Sequence, residues 1–469
     1  MLFTSYTYLV FLVLAVLVIR LTRGIAREYV LLAASLVFYA WWDVRFLVVL
    51  LGLGAFTYMA GRGIARHRGR PRALILPIAA ILLVLGVFKY TGLLVDLINL
   101  MRPADSLWSL PGIILPLGIS FYTFECVSYL IDVYKGGEEL QPLRRFLLFP
   151  AFWPHMVAGP ILRLKEFAPQ LSALGPVTAA STLYGVDRVL AGLVKKLVIA
   201  NALAEFVDRG FAGDVSQVSG LDSWVLALAF GLQIYFDFSA YTDIAIGSAR
   251  LVGFVFPENF NLPYHATSPS EFWNRWHMTL SRWIRDYVFF PLNLKAGRRI
   301  WLRHAYLVFT MALVGLWHGA GLTFVLWGVW HGVLMVTHRL CQPVGRRLPA
   351  FVGSVWGGIG FVATVALVNA GWVLFRATSV SQAFELFGEM FTLQNLTPAY
   401  GVNDYLTCLG AIAAYLVAEP LLKKLWDRNP DVTGISELSY WLRPAFYVVA
   451  LTLTMMFDTT STAFIYFQF

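Results

Sequence analysis

The chain has 469 residues, of which 58% are hydrophobic and 13% charged; 36 Lys and Arg against 27 Asp and Glu give a net charge of +9. Soluble globular proteins carry about 25% charged residues, and a chain with mean hydropathy +0.67 cannot hide so much apolar surface from water. A soluble enzyme, a disordered protein and a coiled coil are excluded, and a polytopic membrane protein is expected.

The first apolar run covers about 5–19 and has no basic residue before it and no evident cleavage site, so it reads as a span and not a secretory signal. Arg20, Arg23 and Arg27 follow it; runs at 29–42 and 46–60 come next, and then Arg62, Arg66, Arg68, Arg70 and Arg72. Arg clusters two spans apart belong on one side, and the positive-inside rule puts the N-terminus outside the cytoplasm. The +9 charge is thereby read as topology and not as nucleic-acid binding. Cys126, Cys341 and Cys408 lie far apart with no CxxC spacing, which indicates neither a metal cluster nor a disulfide framework.

Further apolar runs lie near 73–90, 111–133, 146–158, 185–206, 222–238, 241–256, 305–317, 324–340, 350–374, 403–422 and 441–457. Those at 146–158, 305–317 and 324–340 are short enough to be re-entrant or broken helices, which persist only beside protein or a wet cavity. The length rule gives about ten to twelve true spans. The expected fold is all-α, one integral domain over 1–469. Lys423, Lys424 and Arg428 mark the last cytoplasmic loop.

Ionisable groups at membrane depth are costly, so each marks a candidate site. Glu125 and Asp132 lie seven apart in FECVSYLIDVYK, on one helical face. FWPHMVAGPILR at 152–163 is broken by Pro154, Gly159 and Pro160; it carries His155 and suits a cavity wall. Asp237, Ser239, Tyr241 and Asp243 fall inside QIYFDFSAYTDIAIG; the two carboxylates are six apart, about 120° on a helix, which suits a polar cavity or pairing with Arg better than an acid pair.

Ser270 is a plausible N-cap for an amphipathic helix over 271–290. Its Trp-rich face carries His277, and its polar face carries Asn274, Arg275, Arg282, Arg285 and Asp286, with Arg282 and Asp286 spaced for an i,i+4 pair. Such a helix fits the membrane interface. Two WHG triplets follow, Trp317-His318-Gly319 and Trp330-His331-Gly332. Histidines thirteen apart differ by about 220° on a regular helix. A neutral imidazole flanked by glycine suits a general base; two packing histidines fit the spacing as well. Motifs for a metalloprotease, a serine-hydrolase elbow or a P-loop are missing from the sequence.

A series of segments resembles the membrane-bound O-acyltransferase (MBOAT) family, in its bacterial AlgI / DltB-like branch. It runs through LFTSYTYLVFL, FYAWWD at 38–43, PLGISFYTFECVSYLIDVYKG at 116–136, VAGPILR at 157–163, FDFSAYTDIAIG at 236–247 and FPENFNLPY at 256–264. EFWNRWHMTLSRWIRDY, LWHGAGLTFVLWGVWHG, WVLFRA at 372–377 and the terminal FIYFQF complete it. The resemblance implies helices ringed around a central funnel or tunnel. It also implies acyl transfer from a cytoplasmic thioester, acetyl-CoA or an acyl carrier protein, to a hydroxyl for O-acetylation of an alginate-like exopolysaccharide or other cell-surface glycan.

By the same resemblance the essential histidine is His318. His277 is the second catalytic candidate and would hold the donor carbonyl or its oxyanion. Asn274, Asp237, Ser239, Tyr241, Asp243, Trp317, Arg275 and His331 are candidates for binding substrate or lining the tunnel. No bound cofactor and no metal are expected. Expected partners are the lipid bilayer and a periplasmic SGNH-type transferase or small accessory membrane protein, in the bacterial inner membrane. Departures are PLNLKAGRR at 291–299, where relatives often read PLGG, and Glu125, where many have Gln. Two alternatives remain: D-alanyl transfer for teichoic acid, and a transporter or flippase without acyl-transfer chemistry.

Overall fold

A computed structural model describes residues 1–99, 101–103, 106–108, 112–213, 218–345, 350–392, 397–425, 437–457 and 465. Among them every regular element is helical. Among the described residues, six helices are long and apolar enough to cross a membrane: Val44–Arg66, Pro71–Asn99, Gly220–Leu251, Ile300–His318, Gly357–Arg376 and Val402–Lys423. Tyr6–Leu21 and Trp441–Phe457 are shorter apolar helices. Gly24–Ala40 and Ile119–Lys135 are further continuous helices of 17 residues. Arg428 and most of the terminal FIYFQF lie outside the described residues.

Chain contacts gather into two compact units. The first takes Met1–Leu190 and Tyr241–Pro257; the second takes Ala191–Ala240 and Glu258–Arg428 with the C-terminal residues. The Gly220–Leu251 helix gives its part up to Ala240 to the second unit and the rest to the first. That helix is mostly buried, as a core helix should be, and the charged residues on it are buried with it.

In the first unit, the run at 146–158 is broken as expected. Leu143–Ala151 ends at Phe152, and the single turn Trp153–Met156 follows. The freed backbone groups find protein partners there, as broken helices at membrane depth require. His155 sits between two acceptors: its Nε2 lies 2.9 Å from the Phe149 carbonyl and its Nδ1 lies 2.7 Å from Glu125 Oε1. Asp132 pairs with Lys165 at 3.0 Å, and Asp243 pairs with Arg188. Tyr241 stacks on Phe3, with centroids 5.8 Å apart.

In the second unit, the runs at 305–317 and 324–340 are not broken. They lie inside the continuous helices Ile300–His318 and Leu322–Gly345. Small residues let these two helices meet backbone to backbone, as glycine does in membrane helix pairs. A Cβ on Gly315 would stand 2.0 Å from the Phe324 carbonyl oxygen, and one on Gly328 2.1 Å from that of Met311. The tight hairpin fixes where His318, the last residue of its helix, is held.

Candidate active site

The expected helix over 271–290 is four pieces. Pro269–Arg275 is capped by Ser268, whose hydroxyl accepts from the Glu271 N–H at 3.2 Å, so the cap is two residues earlier than Ser270. Met278–Ile284, a wide turn over Arg285–Phe289 and Phe290–Ala296 follow. Arg282 bonds the Met278 carbonyl, and Asp286 pairs with its neighbour Arg285, so the expected 282–286 pair does not form.

His277 occupies the break between the first two pieces, with φ 42° and ψ 52°. This left-handed conformation costs a non-glycine residue about 1–2 kcal/mol. The segment 259–261 holds it in place. The Met278 N–H donates to the Asn259 carbonyl at 2.9 Å, and the Asn261 N–H donates to the Arg275 carbonyl at 2.9 Å. The bonds that a continuous helix would have made are supplied from this loop. A strained residue held by its surroundings points toward function.

The side chain of Asn259 then sets the chemistry of His277. Asn259 Oδ1 accepts from the Thr279 N–H at 3.2 Å and the Thr279 hydroxyl at 2.9 Å, and lies 3.1 Å from His277 Nδ1. An oxygen already receiving two hydrogens is an acceptor, so Nδ1 must donate to it. Burial holds the imidazolium pKa down to about 3, so the ring is neutral near pH 7. The proton is on Nδ1, and Nε2 carries a lone pair. That nitrogen is buried and has no hydrogen-bond partner among the described residues.

His318 lies 6.5 Å from His277 between ring centroids. Both rings are buried. Trp317 stands beside both, 4.8 Å from His318 and 6.3 Å from His277. Phe238 meets His277 edge to face at 4.8 Å, while Trp327 and Phe375 meet His318 at 5.2 and 5.5 Å. The apolar cage keeps both imidazoles out of bulk water.

His331 lies 4.9 Å from Trp327 and against Trp273 at 5.3 Å. The histidines of both WHG triplets thus contact one tryptophan, from separate helices divided by the turn at 319–321. The frame is polar further out. Trp372 Nε1 donates to the Tyr264 hydroxyl at 3.0 Å, which donates to the Gly231 carbonyl at 2.6 Å.

The other expected residues do not join the histidines in direct contact. Asn274 is exposed and lines a separate cavity. Arg275 pairs with Glu271 at 2.8 Å and donates to the Asn261 carbonyl. Asp237 pairs with Lys196 at 3.1 Å and accepts from the Ile465 N–H at 2.9 Å. Ser239 is buried with its hydroxyl 3.5 Å from the Phe236 carbonyl. Tyr241 and Asp243 take partners in the first unit, as described above. The asparagine that matters to His277 is Asn259, which sequence reasoning missed although it sits inside the quoted FPENFNLPY. Its signal was a buried amide in a loop just before a helix break.

Comparison with known proteins decides what this site belongs to. The family described as MBOAT, membrane-bound O-acyltransferase family, matches residues 145–370. A probable alginate O-acetylase AlgI of Azotobacter vinelandii is 38% identical over 426 residues, covering 89% of this chain and 83% of that protein. The chain belongs to the membrane-bound O-acyltransferase family. A probable alginate O-acetylase AlgI of Pseudomonas aeruginosa is 40% identical over 373 residues, 78% of this chain and 70% of that one. A peptidoglycan O-acetyltransferase of Helicobacter pylori is 34% identical over 400 residues, 78% and 74%. The chain is thus an O-acyltransferase of the MBOAT family, and both histidines lie inside the matched region.

Proposed function

We propose that this MBOAT protein transfers an acetyl group from a thioester donor on the cytoplasmic side to a hydroxyl that leads to an alginate-like exopolysaccharide, with His318 and His277 at the reaction centre. The observation that carries this reading is the buried pair itself: two imidazoles in one apolar cage, one of them fixed by Asn259 with its Nε2 lone pair uncommitted. The acetyl and exopolysaccharide readings rest on the names of the relatives. The donor is acetyl-CoA or an acyl carrier protein, and the acceptor includes a hydroxyl of a periplasmic SGNH-type transferase or accessory protein that relays the group.

In this reading the acceptor hydroxyl forms a bond to the thioester carbonyl carbon while His318 takes its proton. The carbonyl electrons move to oxygen and return as the C–S bond breaks. The proton then passes from His318 to the leaving thiolate. Transfer is direct. His277 Nε2 works as a hydrogen-bond acceptor for a second O–H or N–H of the substrates, since the one proton of the reacting hydroxyl goes to His318. The expected oxyanion role suits it poorly, since an oxyanion needs a donor and the only N–H of the neutral ring is given to Asn259.

The test is the O-acetyl content of surface glycan in cells whose sole copy is His318→Ala or His277→Ala, at matched membrane levels. Both should lose acetylation, His318→Ala completely. Full acetylation with His318→Ala overturns the assignment; full acetylation with His277→Ala removes that residue from the centre. Measuring free thiol released from acetyl-CoA and from an acyl carrier protein decides the donor.

A further inference from the structure

Apart from the histidine cage, the second unit holds a cavity of about 320 Å³, open on one side. Leu280, Ile284, Leu307, Met311, Val314 and Met335 make its aliphatic wall. Its polar lining is Ser270, Asn274, Ser281, Thr310, Arg285 and Arg339, with no carboxylate. Phe290 at the rim is 48% exposed, and Leu294, one turn on, is 81% exposed. In a membrane protein, apolar surface so exposed faces acyl chains.

Arg285 pairs with Asp286 at 2.9 Å. Arg339 lies over the Phe289 ring at 5.7 Å, and no carboxylate pairs with it among the described residues. A guanidinium is built to meet phosphate oxygens with paired donors. Trp273 also lines this cavity. Its indole N–H is buried without a hydrogen-bond partner among the described residues, which is a donor in want of an oxygen.

We propose that this cavity binds an anionic phospholipid, with an acyl chain along the Leu280, Met311 and Met335 wall and the phosphate on Arg339 and Arg285. Basic pockets between membrane helices select anionic headgroups in this way. The thioester donor of the reaction does not fit the cavity as substrate, because neither His318 nor His277 lines it. A free phosphate would leave the apolar wall unused. The bound lipid lies against Trp273, which in turn touches His331 at 5.3 Å and Trp327 at 5.8 Å, so occupancy braces the outer side of the cage.

Native mass spectrometry of the full chain, purified in detergent and titrated with phosphatidylglycerol or with phosphatidylcholine of the same chains, tests this. The wild type should retain phosphatidylglycerol at least about fivefold better, the effect of one cation near a headgroup. Arg339→Gln should erase that preference. Arg282→Gln, an exposed cation outside the cavity, should keep it. Met335→Trp, which fills the apolar half, should weaken both lipids. Equal retention of the two lipids by the wild type, or an undiminished preference in Arg339→Gln, overturns the proposal. So does complete displacement of phosphatidylglycerol by millimolar inorganic phosphate, which marks a phosphate site alone. The readout is binding and stands apart from acyl transfer.

Discussion

Each unit buries a histidine on a broken helix, and the two are treated in opposite ways. His155 has both ring nitrogens engaged: its Nε2 donates to the Phe149 carbonyl and its Nδ1 meets the Glu125 carboxylate. His277 has one nitrogen engaged, by Asn259, and the other without a partner among the described residues. A buried polar group with no partner costs about 1–3 kcal/mol, so it persists where something else makes use of it. The first histidine is cement. The second, in the proposed mechanism, is a tool, and it lies beside His318.

The largest effect expected of this contrast is on catalysis. His318→Ala should lower thiol release from an acetyl thioester at least about 100-fold per folded molecule, with only the smaller stability loss of a truncated buried ring. His155→Ala should do the reverse. Removing one partner of a buried pair costs about 3–5 kcal/mol, visible as a lower unfolding temperature and less protein in the membrane. The folded remainder should turn over at a near wild-type rate per molecule.

Asn259→Ala tests how the tool is held. It frees His277 to flip or change tautomer and should cost about tenfold in rate, the value of one buried hydrogen bond. Asn259→Asp is sharper. A carboxylate at Nδ1 favours the imidazolium and raises the His277 pKa from about 3 toward neutrality. Protonation would occupy Nε2, so the acid limb of the pH–rate profile should move to higher pH than in the wild type. An unmoved acid limb would show that the Nε2 lone pair is not used. The smallest effect belongs to Glu125→Gln. The Gln amide N–H can donate to His155 Nδ1 while Nε2 keeps the Phe149 carbonyl, so the rate should stay within about twofold and the stability change should be under about 1.5 kcal/mol.

Much of this was legible in the sequence because membrane chains advertise themselves. The charge deficit and apolar runs pointed to the all-helical membrane fold, while the WHG triplets left packing and catalysis open, and His318 was singled out by the family resemblance. Pro154, Gly159 and Pro160 gave the break beside His155. The break at His277 was hidden, because Trp273, Trp276, Leu280 and Trp283 keep helical spacing straight through it. It exists because Asn259 and Asn261 offer the backbone better partners than its own helix does, a tertiary choice that periodicity cannot register. Asp237 and Asp243 read as lining a polar cavity or pairing with Arg, and packing shows the second alternative: Arg188 pairs with Asp243, and a lysine, Lys196, with Asp237.

The account turns on which histidine does the work. The direct measurement is the O-acetyl content of surface glycan, per molecule of protein in the membrane, in cells carrying His318→Ala or His155→Ala as the sole copy. The account predicts none for His318→Ala and near wild-type content per molecule for His155→Ala. Acetylation retained by His318→Ala, with His155→Ala folded and silent, would contradict it.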